Sequence, residues 1–244
     1  MRVGIQPFTM SAIDEPLAAK LDRIAAAGFE GVEVGTDANT DAVHERLAAH
    51  HLSVSSIASG FDALETEFDA HVAAAEDFGV TDVVVMWVHP DEFGTRGHVE
   101  SVADRLGEWC DRLADHGLQL HYHNHDHEFD EVGGTTCHRI LREETEDVMF
   151  EVDVGWAGVG GADPPALLRE LDDRVSLVHC KDMDFATGDF PTFGEGDLDV
   201  EATVAAARDV GVDWLIYEND DPTDPVAEPG HASVALDEYT DHYC

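Results

Sequence analysis

A closed (β/α)8 TIM barrel, spanning residues 1–244 as one domain, is the fold this sequence predicts. Two observations predict it. Eight short β-rich runs alternate with stretches of helical period almost without a break from end to end. The first run, in VGIQPFTM, also lacks the glycine-rich turn that cradles a pyrophosphate in the competing doubly wound sheet.

The strands are expected at 2–5, 31–34, 52–57, 81–88, 118–123, 148–154, 175–180 and 213–218. Helices are expected at 16–27, 39–50, 61–78, 99–116, 136–144, 164–171, 200–210 and from about 233. The first helix opens with Pro16 behind Glu15 and stops at Gly28, as an N-terminal proline and a C-terminal glycine dictate. The third and fourth stop at Gly79 and Gly117. The phrases AAAGFEGVEV, AEDFGVTDVVV and ARDVGVDWLIY share one grammar: an alanine-rich helix, a glycine stop, then a strand.

Acidic residues number 53 against 13 basic ones, for a net charge of −40. Repulsion from phosphate over the whole surface excludes an unassisted nucleic-acid or anionic-membrane binder. Only Lys20 and Lys181 are lysines. At about 1 M salt the Debye length shrinks to roughly 3 Å and screens such a surface. The composition resembles that of proteins from salt-accumulating halophilic archaea, and implies a high-salt cytoplasm. Cys110, Cys137, Cys180 and Cys244 are too sparse for a disulfide scaffold and too widely spaced for a thiolate zinc site. No stretch approaches 18 uncharged apolar residues, and the N-terminus has no long apolar run, so the expected address is cytoplasmic.

Side chains alternate faces along a strand, and in a barrel one face meets the helices while the other lines the interior. In the fifth strand Leu118, Leu120 and Tyr122 take the apolar face, which leaves Gln119, His121, His123 and, if the strand persists, His125 inward. The same parity turns Glu151 and Asp153 inward, pairs His179 with Lys181, and sets Glu218 with Trp214 and Ile216. Four successive strands therefore end in an inward polar group, His123, Asp153, His179 and Glu218, at the barrel face where this fold does its chemistry. Two imidazoles and two carboxylates make a divalent-metal set that discriminates weakly among Mn²⁺, Co²⁺, Zn²⁺, Fe²⁺ and Mg²⁺ and disfavours Mg²⁺. It leaves coordination positions for two substrate oxygens.

The motifs YHNHDHEF, EVDVGW, VHCKD, FGEGDLDV and WLIYEND resemble those of the sugar phosphate isomerase/epimerase family with a xylose isomerase-like TIM barrel, a family that includes inosose dehydratases, hydroxypyruvate isomerases and ketose 3-epimerases. The resemblance runs from the first strand to Glu218. It implies one divalent metal, Mn²⁺ first among the candidates, and a polyol or sugar substrate; a homodimer is a family-level expectation. The ketose epimerases bind metal through Glu, Asp, His and Glu, of which the last three correspond to Asp153, His179 and Glu218. The first position departs, being His123 here, and the histidine-rich YHNH form is similar to a branch that includes the inosose dehydratases. The reaction implied is proton transfer next to a carbonyl through an enediolate, by an isomerase or epimerase of a sugar or sugar phosphate. The alternative is a dehydratase acting on a keto-polyol such as an inosose.

Glu218 is the first candidate for the base, with Glu128 or His125 on the other side of the substrate. Lys181, kept in a chain almost without lysine, is expected to neutralise a developing enolate or to bind a carboxylate or phosphate of the substrate, held by Asp182. His125, Glu128 and Trp156 are candidate substrate contacts, Trp156 as a wall. His127 is expected in solvent, and 183–197, with Phe185, Phe190 and Phe193, is expected to form a mobile lid. FGEGD is followed by no Lys-Ser or Lys-Thr and is no nucleotide loop. Two other classes, a non-catalytic polyol-binding barrel and an apurinic endonuclease-like phosphodiesterase, remain as alternatives. The charge and the lack of histidine at Gly35 and Ser59 weigh against the second.

Overall fold

Eight parallel strands close on themselves in the computed structural model, which describes residues 1–241. They are β1 (Arg2–Ile5), β2 (Gly31–Gly35), β3 (Ser53–Gly60), β4 (Asp82–Trp87), β5 (Gln119–His123), β6 (Met149–Asp153), β7 (Val175–Cys180) and β8 (Trp214–Tyr217). Each strand pairs with its sequence neighbours, and β1 closes the barrel against β8 in the register Arg2↔Trp214 to Ile5↔Tyr217. The expected strands are all present, with ends shifted by at most three residues. Glu218 lies just beyond β8.

The outer ring contains α1 (Leu17–Ala27), α2 (Asp41–His50), α3 (Phe68–Phe78), α4 (Arg96–Ala114), α5 (Cys137–Glu144), α6 (Pro164–Leu171), α7 (Val200–Asp209) and α8 (Glu228–Asp241). The expected third helix is broken: Ala63–Thr66 forms a separate turn before α3. Two small elements escape the periodic pattern. A hairpin pairs Glu131–Val132 with Thr135–Thr136 around Gly133 and Gly134, both at positive φ. A short helix, Val154–Val159, follows β6 and is capped by Asp153 itself. Cys110, Cys137 and Cys180 are buried free thiols, and Cys244 lies outside the described residues. No helix among the described residues is long and apolar enough to cross a membrane.

Alternation along the strands divides the core into two. Outward residues such as Val32, Val34, Leu120, Tyr122, Val152, Val178, Leu215 and Tyr217 join the helix faces in the main apolar layer. Inward residues Val84, Leu177, Trp214 and Ile216 form a small plug inside the barrel, with Met86 against it. Close approach at this plug explains a glycine: a methyl group on Gly31 would lie 2.6 Å from the Ser53 carbonyl oxygen and run into the Trp214 ring. The plug fills the lower interior, so polar inward residues nearer the C-terminal strand ends are stacked above it.

Candidate functional site

The ladder register sets the polar layers. His123 on β5 is level with Glu151 on β6, and Asp153 is level with His179 on β7. One ligand-type atom from each of His123, Asp153 and His179 falls within 4.8 Å of the others, and all three residues are buried. A second such group, Glu33, Glu151 and His179, shares His179.

Contacts among these groups are short. His123 Nδ1 is hydrogen-bonded to Glu151 Oε2 at 2.9 Å, while His123 Nε2 stands 3.7 Å from Asp153 Oδ2. His179 Nδ1 is 3.0 Å from Glu218 Oε2, and its Nε2 is 2.9 Å from Glu33 Oε2. Glu33 also accepts from Gln6 Nε2 at 2.7 Å and from Ser56 Oγ at 2.6 Å. Lys181 Nζ reaches Glu218 Oε2 at 2.8 Å, Asp153 Oδ2 at 3.2 Å and both oxygens of Asp220 at 3.0 Å. Asp182, adjacent in sequence, does not hold Lys181 as expected. Successive side chains at a strand end face opposite ways, and the Asp182 carboxylate instead accepts the backbone N–H of Gly194, Gly196 and Leu198 at 2.8, 2.8 and 3.1 Å. The segment expected to be a mobile lid is thus tied to the end of β7. Phe193 is buried against Tyr217, and Phe190 packs on Trp156. Asp182→Ala should destabilise the fold by about 2–4 kcal/mol, since hydrogen bonds to a charged acceptor contribute about 1.5–3 kcal/mol each and the freed loop relaxes in part. A urea midpoint equal to that of the wild type would show that the loop does not depend on this anchor.

Burial and charge set the protonation states. The His123 imidazole is pushed well below its ordinary range by burial, with His179, His125 and Lys181 adding to the effect, so it is neutral and has a lone pair to offer. Burial alone would lower His179, but Glu151, Glu33 and Glu218 outweigh it and hold the ring well above the usual histidine range, so without a cation it is protonated and its coordination requires loss of a ring proton. Burial likewise opposes the charged forms of Glu218 and Lys181. Lys181 and His179 hold the Glu218 carboxyl below its usual range, and Asp153, Glu218 and Asp220 hold the Lys181 ammonium above its own. Burial pushes Asp220 up to about 6 against the pull of Lys181.

A divalent ion fits the donor set. Asp153 Oδ2 is buried and accepts no hydrogen bond; its Oδ1 is spent on the Trp156 N–H. The mixed imidazole and carboxylate donors suit a borderline divalent cation. Asn124 braces this corner, exchanging two hydrogen bonds with the Asp153 backbone at 3.0 and 3.1 Å.

The remaining candidates take separate places. His125 lies on the wall beside His123, with ring centroids 5.1 Å apart, and burial pushes it down to about 3. Its buried Nδ1 has no hydrogen-bond partner. Trp156 stands over Lys181 at 5.5 Å and near His125 at 5.7 Å. Trp87, 45% exposed, meets His125 edge-on at 4.5 Å. Glu128 is turned elsewhere: it accepts from Tyr122 OH at 2.6 Å and from the His125 backbone N–H at 2.8 Å. Tyr122 belongs to the outer apolar layer, so Glu128 braces the end of β5, and burial pushes its carboxyl up to about 7. His127, expected in solvent, is largely covered and bonded to the Val88 carbonyl at 3.1 Å. Glu33, Asn124 and Asp220 were not foreseen as parts of the site, although the alternation in GVEVG turns Glu33 inward.

The family pattern of the xylose isomerase-like TIM barrel matches residues 21–237. The chain belongs to that family. Among curated members of similar sequence, an inosose dehydratase of Lacticaseibacillus casei is 22% identical over 289 residues, covering 99% of this chain and 96% of that one. The rhizopine catabolism protein MocC of Rhizobium meliloti is 27% identical over 267 residues, covering 90% and 77%. Among solved structures of the fold, a sugar phosphate isomerase/epimerase from Parabacteroides distasonis superposes with a TM-score of 0.80 at 19% identity, over 98% of this chain and 94% of that one. The probable 3-DHS dehydratase AsbF of Bacillus anthracis gives 0.76 at 14% identity, over 97% and 98%. IOLI protein, solved with a zinc atom, gives 0.74 at 17% identity, over 100% and 99%. The site described above is compatible with a metal-dependent, sugar-processing member of this superfamily.

Proposed function

We propose that the protein is a metal-dependent dehydratase that removes water from a neutral cyclic keto-polyol of the inosose type. The observation that carries this reading is the 2.8 Å contact between the Lys181 ammonium and the Glu218 carboxylate beside the His123–Asp153–His179 group. Elimination of water needs a base for the proton next to the carbonyl and an acid for the departing β-hydroxyl. A paired carboxylate and ammonium supply both. Epimerisation through two carboxylates on opposite faces of the substrate has less support, because both oxygens of Glu128 are committed to Tyr122 and the His125 N–H. The similarity to an inosose dehydratase of Lacticaseibacillus casei supports the same choice.

His123, Asp153, His179 and Glu218 would hold the ion, Mn²⁺ first among the candidates, and its charge would polarise the substrate carbonyl and favour the enolate. Glu218 accepts the proton from the carbon next to the carbonyl. Lys181 donates a proton to the β-hydroxyl, which leaves as water. The proton on Glu218 then returns to Lys181 across their contact and restores both groups. His125, neutral and with a free buried nitrogen, hydrogen-bonds a ring hydroxyl, and Trp156 with Phe190 covers an apolar C–H edge. Neutrality of the substrate follows from charge: Lys181 is already faced by Asp153, Glu218 and Asp220, so it is a poor partner for a phosphate or carboxylate.

A panel of inososes, ketoses, ketose phosphates and hydroxy-keto acids, incubated with the Mn²⁺-loaded protein in D₂O and read by mass, tests the reading. An inosose should lose 18 mass units and the phosphates should remain unchanged. A gain of one mass unit from deuterium at the carbon next to the carbonyl, with no loss of water, in an epimer or an isomer, would overturn it in favour of the isomerase or epimerase.

A further inference from the structure

We infer that Glu151 is a positioning residue: it accepts a hydrogen bond from His123 Nδ1–H and so aims the His123 Nε2 lone pair at the metal. This rests on the reading of His123 and Asp153 as ligands. Glu151 is fully buried above the apolar plug, in an interior that already carries Glu33, Asp153 and Glu218. Another carboxylate at such depth is costly unless it has a specific partner. His123 Nδ1 lies 2.9 Å from Glu151 Oε2. His179 Nε2, at 3.4 Å, is nearer to Glu33 at 2.9 Å. The other hydrogen-bond partner of Glu151 is the Glu33 carboxyl, so the His123 bond is the one this group makes to a proposed ligand.

The geometry of the ring makes the choice of nitrogen matter. His123 lies between His179 and His125, with ring centroids 4.7 and 5.1 Å away, which restrains it from turning over. With its proton on Nδ1, shared with Glu151, the bare Nε2 faces Asp153 Oδ2 at 3.7 Å, a separation suited to two atoms bound to one ion rather than to each other. With the proton on Nε2 instead, coordination through that nitrogen is blocked. A carboxylate behind a ligating imidazole fixes both tautomer and orientation, and its loss typically lowers metal affinity about 10–100-fold.

Three measurements test this. In ¹⁵N–¹H correlation spectra of the Zn²⁺-loaded protein, His123 should carry its remaining proton on Nδ1; a proton on Nε2 would overturn the inference. Co²⁺ titration, followed by its visible absorption, should show Glu151→Leu binding about 10–100-fold more weakly than wild type. Glu151→Gln, which keeps an acceptor of the same shape, should recover most of that loss. Wild-type affinity and an unchanged Co²⁺ spectrum in Glu151→Leu would overturn the inference while leaving the metal site standing. Failure of the wild-type protein to bind Co²⁺ would instead remove the ligand reading and the inference with it. If Glu151→Leu does not fold, the wild-type tautomer and the Glu151→Gln affinity decide the matter.

Discussion

Glu218→Gln should abolish deuterium exchange and dehydration together, with a fall in rate of about 10²–10⁴-fold, the range a positioned general base supplies. The amide cannot accept the proton, and it leaves Lys181 without the partner from which its own proton is restored. Gln keeps an oxygen near His179 Nδ1 and Lys181, so the barrel should remain folded. Metal content has to be measured with the rate, because the same residue is a proposed ligand. A variant that keeps both its metal and the wild-type exchange rate would reduce Glu218 to a ligand and move the search for the base to His125. Glu218 is a base held below its usual range by the very groups that orient it. It therefore depends on the ion to acidify the substrate C–H, and removal of the metal by a chelator should be as damaging as the substitution.

Asp153→Asn carries the second large effect. Asp153 has one oxygen on the Trp156 N–H and the other, without a hydrogen bond, facing His123 Nε2 and Lys181 Nζ. Asn can keep the helix cap, but it turns an NH₂ toward an ammonium and toward the position of the ion. Metal affinity should fall by more than the roughly 10–100-fold that losing an outer partner costs, and activity should fall with it. Elemental analysis after dialysis checks this. Unchanged metal content in a folded Asp153→Asn would remove Asp153 from the ligand set.

The barrel was legible because strand alternation and glycine-stopped helices repeat one unit, and the repetition survives small errors at the element ends. The same alternation brought His123, Asp153 and His179 to one interior, where they now lie as a buried group. It fails where the chain leaves the strand. Counting outward from His123 keeps His125 on the wall, but the chain then turns through His127–Phe129 and carries Glu128 to Tyr122. Adjacency misled at Lys181 and Asp182, whose side chains part at the end of β7. Asp220, two residues after Glu218 in a stretch without periodicity, gave no local signal. Its pairing with Lys181 depends on β7 and β8 lying side by side. Glu33 differs from these, since the pattern of GVEVG contained it; its importance arises only when closure brings β2 across from β7, Glu33 and His179 being 146 positions apart.

Anomalous diffraction from a crystal grown with Mn²⁺ tests the central claim most directly. The account predicts one strong peak at the C-terminal end of the barrel, about 2.0–2.4 Å from ligand atoms of His123, Asp153, His179 and Glu218, with Nε2 the contacting atom of His123. A well-diffracting crystal with no peak among these four residues, or with manganese only on surface carboxylates, would contradict it.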